Sequence, residues 1–161
     1  KGYKKNRHDF ELHGISFEIK ATTSNNPLRV KISNEKQLEK GKLKHLYLTV
    51  YNMVSSESKK GDLPEILTQI TKLIKNIQLK NEFKRNIMSL GYNYDREEVY
   101  NRTYSLVNQG NEYYEVDDTF PSIGIKDLIL LKKHTAIMEL KYTINLDTCS
   151  KYLCRTEPVY K

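Results

Sequence analysis

The sequence predicts an α/β layer fold, with α+β as the alternative that the same elements allow. Three observations carry this prediction. Short runs of alternating or β-branched residues recur along both halves of the chain. His45 to Met53 is a continuous aromatic and β-branched run, the strongest strand signal present. Between the strand runs lies an apolar stripe at three- and four-residue spacing, which is helical. Strands interleaved with helices indicate a sheet with helices packed on it.

In chain order, Asp9 to Leu12 and Ile15 to Ala21 read as two extended runs joined at His13-Gly14, a hairpin turn. In the second run, Phe17, Ile19 and Ala21 fall on one face and Glu18 and Lys20 on the other. The apolar set is expected inside, which leaves Glu18 and Lys20 on the outward face. Thr22 to Pro27 is a polar loop and Leu28 to Ile32 a third strand. Ser33 or Asn34 is positioned to cap a short helix through Glu39, ended by Gly41. After the strand at His45, Ser55 to Gly61 is a polar loop. Asp62 then caps a helix with Pro64 in its first turn. Leu63, Ile66, Leu67, Ile70, Leu73, Ile74 and Ile77 form its stripe, which is expected to be core. A second helix is expected from about Asn81 to Leu90, stopped by Gly91, with a further helical turn or two over Asp95 to Asn101. Thr103 to Val107 and Tyr113 to Val116 read as strands around a turn at Gln109-Gly110-Asn111. Ile125 to Leu131 fits helix or strand, and Ala136 to Leu146 reads as a long final strand.

The chain has 161 residues, a one-domain length. It is expected to form one domain over 1–161, with a core bearing the motif in 1–60 and a helical pair with additional strands in 61–161. No apolar run approaches the roughly 20 residues that span a bilayer. The first residue is Lys1 rather than Met, and the basic Lys1 to Arg7 has no apolar stretch after it, so this segment does not read as a secretory signal and an upstream segment is expected. Cys149 and Cys154 supply no disulfide framework, which points to an intracellular chain. They lack a second ligand pair, and His134 is 15 residues away, so a zinc site is not indicated. No glycine-rich phosphate loop, nucleophile elbow or HExxH helix occurs.

Twenty-seven basic and 20 acidic side chains give a net charge of +7. That excess favours an anionic partner, nucleic acid first. Lys4, Lys5 and Arg7 precede the hairpin, and Lys36, Lys40, Lys42 and Lys44 follow it; these are the candidate phosphate contacts. Glu112, Glu115, Asp117 and Asp118 form an acidic patch that would repel DNA. His8 stands beside the motif, where a surface position is expected and a phosphate contact is the alternative.

The hairpin is the chemically informative element. It brings Asp9 beside Glu18 and Lys20, two carboxylates and an ammonium in one small volume. Paired carboxylates repel, and a divalent cation relieves that repulsion. Hard oxygen ligands with spare water positions suit Mg²⁺ or Mn²⁺. The Ile19 backbone carbonyl can add a further oxygen. Lys20 is suited to orient or deprotonate a water. Gln37 follows where a polar side chain can reach the same place. Asp9, Glu18, Lys20 and Gln37 are therefore the candidate catalytic residues, and Asp9, Glu18 and the Ile19 carbonyl the candidate metal ligands.

His8-Asp9-Phe10, Ile15 to Thr22, Val30 to Leu38 and Leu46-Tyr47-Leu48 together resemble the PD-(D/E)XK motif protein family. So, in order, do Leu63 to Ile66, Leu90-Gly91-Tyr92, Tyr114 to Asp118 with Phe120-Pro121, and Tyr142 to Leu146. The resemblance implies a restriction-endonuclease-like core, a mixed β-sheet flanked by helices. It implies a Mg²⁺-dependent (or Mn²⁺-dependent) endodeoxyribonuclease of bacterial restriction and antiviral defence systems, working in the cytoplasm, away from the membrane. Asp9 maps to the first acid, Glu18 to the second, Lys20 to the lysine, and Gln37 to the polar residue after the motif. The position before Asp9 is His8, where the motif's name has Pro. The resemblance also implies an upstream helix with a Gly-Glu pair that packs on the core, its glutamate a candidate further metal ligand in the intact protein. DNA is the expected partner, with a homodimer or other defence-system subunits beside it. The alternative from another class is a catalytically silent nucleic-acid-binding or scaffolding subunit of such a complex.

Overall fold

In this computed structural model the described residues are 7–24, 26–56, 62–100, 103–106, 111–132 and 136–158. Strands β1 (Phe10–Leu12) and β2 (Ile15–Thr22) form the expected hairpin, paired Phe10 to Phe17 and Leu12 to Ile15. Its two-residue turn needs positive φ at both positions, and His13 (50°) and Gly14 (82°) supply it. The Gly14 carbonyl also accepts the Lys44 amide at 2.8 Å, which ties the turn to the start of the next sheet strand.

That strand, β4 (His45–Ser56), lies parallel to β2 from Ile15↔His45 to Thr22↔Asn52. A parallel neighbour requires a crossover. Here it carries β3 (Arg29–Ile32), which pairs antiparallel with β7 (Tyr142–Asn145) in a separate two-stranded sheet. β6 (Glu112–Glu115) runs antiparallel to β4, and β5 (Thr103–Leu106) also pairs with it. The result is a mixed sheet ordered β1-β2-β4-β5, with β6 also on β4. Helix α3 (Ile125–Leu130) settles the earlier ambiguity as helix, with Gly124 at its N-terminus donating to the Asp127 carboxylate. The turn expected at Gln109-Gly110-Asn111 falls largely outside the described residues, with only Asn111 inside them.

Chain contacts divide into two compact units, 1–52 with 106–161, and Met53–Ser105. The first holds the main core. Leu46, Leu48 and Val50 of β4 are fully buried and pack with Val30 and Ile32 of β3, Ile144 of β7, and Leu38, Val116, Phe120 and Leu146. Register then dictates a correction. Ser16, Glu18 and Lys20 pair across from Leu46, Leu48 and Val50, so they share the core-facing side of the sheet. Glu18 is only 3% exposed, not solvated as its alternation with Phe17 and Ile19 suggested. Phe17 takes the opposite face, where its ring meets Tyr47 at 5.4 Å.

Two other expectations change in this unit. Asn34 to Glu39 forms successive turns instead of a capped helix. The Asn34 side chain accepts the Lys36 amide at 2.9 Å, a local bond that competes with helix. The final strand is four residues long instead of eleven, because β3 offers only four partners.

In the second unit the apolar stripe is interrupted. α1 (Leu63–Leu73) is capped by Asp62, whose carboxylate accepts the Glu65 amide at 2.9 Å. Asn76 starts a second helix, α2 (Ile77–Ser89), by accepting from the Gln78 and Leu79 amides. Among α1 residues only Leu67 is buried, while Leu63, Ile66, Ile70, Leu73 and, in α2, Ile77 stay exposed. The stripe is therefore not the core it was expected to be. A 3₁₀ segment over Tyr94–Tyr100 follows, where Tyr92 stacks on Tyr100 at 4.5 Å and meets Tyr94 edge-on at 4.8 Å.

Candidate active site

Asp9 directly precedes β1, so extending the hairpin register by one step places it opposite Glu18. Its Oδ2 accepts the Ile19 amide at 2.8 Å. The side chain thereby closes the end of the hairpin where the strand hydrogen bonds of β1 stop. In a strand the N–H and C=O of one residue face the same edge. The Ile19 carbonyl accordingly opens on the edge where Asp9 sits.

Glu18, the residue before Ile19 on β2, pairs with Lys20 at 2.8 Å between Oε1 and Nζ. Lys20 Nζ also donates to Gln37 Oε1 at 3.0 Å. The same Gln37 oxygen accepts the Ser33 amide at 2.8 Å. Gln37 reaches the site from the turns after β3, and its oxygen is fixed by a backbone donor. The Asp9–Ile19 and Glu18–Lys20–Gln37 contacts form a contact chain whose two parts are joined by the β2 backbone. The Ser33 contact was not legible in the sequence, because a backbone amide leaves no side-chain signal.

Burial holds the Glu18 carboxyl above the usual glutamate value. Hydrogen bonding and charge from Lys20 oppose this, and the Asp9 charge adds to it. Asp9 therefore acts on Glu18 as a like charge in a poorly solvated place. The sign for stability follows. A raised folded pKa means that the folded state keeps its proton longer than the unfolded chain. In chelator, the favourable contribution is full below the ordinary glutamate value and is lost as pH rises through the folded one. Glu18→Gln should flatten that part of the stability–pH curve. Urea titrations of both proteins from about pH 4 upward check it, and parallel curves would contradict it.

The donor set fits a divalent cation. It comprises two carboxylates that repel each other, one backbone oxygen on the same edge, and hard oxygen chemistry throughout. Among the described residues, no group of three or more His, Cys, Asp or Glu side chains is placed to hold a metal. A cation here would have Asp9, Glu18 and the Ile19 carbonyl as protein ligands, with water elsewhere, as Mg²⁺ tolerates.

The basic residues are less uniform. Lys4 and Lys5 lie outside the described residues. Arg7 pairs with Glu39 at 3.4 Å, and its guanidinium lies against Gly41, at φ +55°, 3.3 Å from where a Cβ would stand. Lys36, Lys42 and Lys44 are exposed and Lys40 is half-buried. Arg7, Lys40 and Lys42 line one cleft together with His8, Glu11 and Gly14. Lys36 and Lys44 are not part of that lining. His8 is 4% exposed, not a surface residue, and its Nε2 has no hydrogen-bond partner. Asp117 and Asp118 of the acidic patch line a different cleft, beside Glu39 and Lys40.

Comparison with known families gives one result. A family model described as "Putative PD-(D/E)XK family member, (DUF4420)" matches residues 1–147, which include every residue of the contact chain. No curated protein and no solved structure matches the chain. No helix among the described residues is long and apolar enough to cross a membrane.

Proposed function

The chain belongs to this PD-(D/E)XK family, and on that premise we propose that it is a metal-dependent nuclease that hydrolyses phosphodiester bonds in DNA. The observation that supports the reading is the pair of contacts Asp9–Ile19 and Glu18–Lys20–Gln37, made by residues that the hairpin register sets side by side.

Asp9 and Glu18 would hold the cation, with the Ile19 carbonyl as a further oxygen ligand. A bound Mg²⁺ or Mn²⁺ supplies charge stabilisation at the phosphate and lowers the pKa of water. Lys20 orients the attacking water and neutralises charge developing on the phosphate. Gln37 fixes the lysine and retains its amide N–H₂ group as a donor. Water attacks phosphorus, the P–O bond to the leaving sugar oxygen breaks, and the proton lost by the water is balanced by one delivered to that oxygen. Cutting both strands of a duplex would favour a homodimer, which presents two such sites.

Arg7, Lys40 and Lys42 support the choice of nucleic acid as substrate, since they line one cleft together with His8, the chain neighbour of Asp9. Each phosphate contact releases counterions, so duplex affinity should fall with salt by a log–log slope of about 0.9 per contact. Lys40→Ala with Lys42→Ala should lower that slope by about 2. Fluorescence anisotropy with a labelled duplex in Ca²⁺, across a salt series, checks this. A slope equal to wild type would remove the cleft from the DNA path. The activity itself is tested on supercoiled plasmid with Mg²⁺, with Mn²⁺ and with chelator. Cleavage is expected only with the metals.

A further inference from the structure

We infer that Lys20 is the built-in counter-ion of Glu18 in the metal-free protein: it occupies the carboxylate that a divalent cation takes, and Gln37 is the tether that retains it when the cation arrives. This rests on the metal-dependent reading of the site.

Glu18 is 3% exposed and sits in the same sheet row as Leu48, where water screens little. A buried carboxylate requires a partner. Lys20 Nζ provides one at 2.8 Å, with a side chain that is itself only 15% exposed. Asp9 adds a second negative charge, so carboxylates and ammonium together carry one net negative charge. An incoming divalent cation therefore meets a site already part-neutralised, with a positive charge on one oxygen of the Glu18 carboxylate. Like charges a few ångströms apart in this setting oppose binding strongly.

The second contact of Lys20 explains why displacement does not scatter the site. Gln37 Oε1 holds Nζ at 3.0 Å and is neutral, so it keeps the lysine without competing for the cation. The oxygen is in turn held by the Ser33 amide. An ammonium has three donors, and two are engaged here. When the cation takes Glu18, the donor facing that carboxylate is freed towards solvent or a phosphate. Cation binding and release of the lysine are thus one event.

The test is Mn²⁺ binding to chelator-stripped protein, read by calorimetry and by thermal denaturation, for wild type, Lys20→Met and Lys20→Arg. Lys20→Met should bind Mn²⁺ about tenfold more tightly or better. Its metal-free Tm should be lower and its Mn²⁺-induced rise in Tm larger. Lys20→Arg, which keeps the charge, should stay within about threefold of wild type. Should Lys20→Met fail to fold, Lys20→Gln carries the same comparison, because it keeps a donor for Glu18 without the charge. Equal or weaker Mn²⁺ affinity in the uncharged variant, with wild type binding normally, would overturn the counter-ion role and leave the metal-dependent reading standing. Absence of Mn²⁺ binding in every variant at millimolar concentration would overturn that reading, and this inference with it.

Discussion

Asp9→Asn should abolish metal-supported cleavage and leave the fold standing. The amide oxygen of Asn can still accept the Ile19 N–H that Asp9 Oδ2 accepts at 2.8 Å, so the end of the hairpin stays closed. The charge is lost, and with it one of the two carboxylates that would hold the cation in the proposed site. Losing about 4 kcal/mol of transition-state stabilisation corresponds to roughly a thousandfold in rate. In chelator the variant should be as stable as wild type or slightly more so, because a like charge near Glu18 is gone. Asp9→Ala separates the two roles. It removes the acceptor as well as the charge and leaves the Ile19 amide unpaired, at a cost of about 1–3 kcal/mol. Plasmid cleavage in Mn²⁺ and thermal melts in chelator measure both quantities. Wild-type cleavage by Asp9→Asn would remove Asp9 from the chemistry.

Lys20→Ala should lose cleavage by about 10²- to 10⁴-fold, the range for a positioned proton-transfer group. Stability should fall too, and here the structure changes the expectation. A lysine on a solvated strand face would contribute roughly 0–1 kcal/mol through an ion pair. Breaking a fully buried pair costs about 3–5 kcal/mol. With Glu18 at 3% and Lys20 at 15% side-chain exposure, about 2 kcal/mol is expected, between those limits. Urea unfolding gives the stability and plasmid nicking the rate. Residual cleavage equal in wild type and variant, and insensitive to chelator, would mean a contaminating nuclease and would leave Lys20 without its assignment.

What the sequence made legible, and what it did not, divides along local and non-local lines. The hairpin was legible because His13-Gly14 is a strong local turn signal and β1 and β2 are adjacent in the chain. The β4 run was legible because its residues suit a strand wherever it lies. That Asp9 lies opposite Glu18 was legible from hairpin register, and that Glu18 and Lys20 share a face from alternation along β2. Which face of β2 was buried was not. Alternation gives two equivalent assignments, and the fully buried Leu46, Leu48 and Val50 of a strand more than 20 residues away decide between them. For Gln37, its reach to the site was anticipated, yet its setting was taken as a helix. The Asn34 side chain diverts the chain into turns instead, and those turns aim the glutamine at Lys20. The stripe from Leu63 to Ile77 concealed a boundary for a similar reason. Periodicity runs on through Ile74, while Asn76 caps a new helix inside the pattern. His8 gave no signal of its burial, because the groups that cover it are set by tertiary packing.

The most direct test of the account is the anomalous scattering of Mn²⁺ in crystals of the wild-type protein soaked at saturating metal. The account predicts a peak between the carboxylates of Asp9 and Glu18, near the Ile19 carbonyl oxygen, with water as the remaining ligands. The same soak of Asp9→Asn should lose the peak. A fully occupied wild-type crystal with Mn²⁺ bound elsewhere, or with Glu18 still paired to Lys20 and no metal beside it, would contradict the metal-dependent nuclease reading.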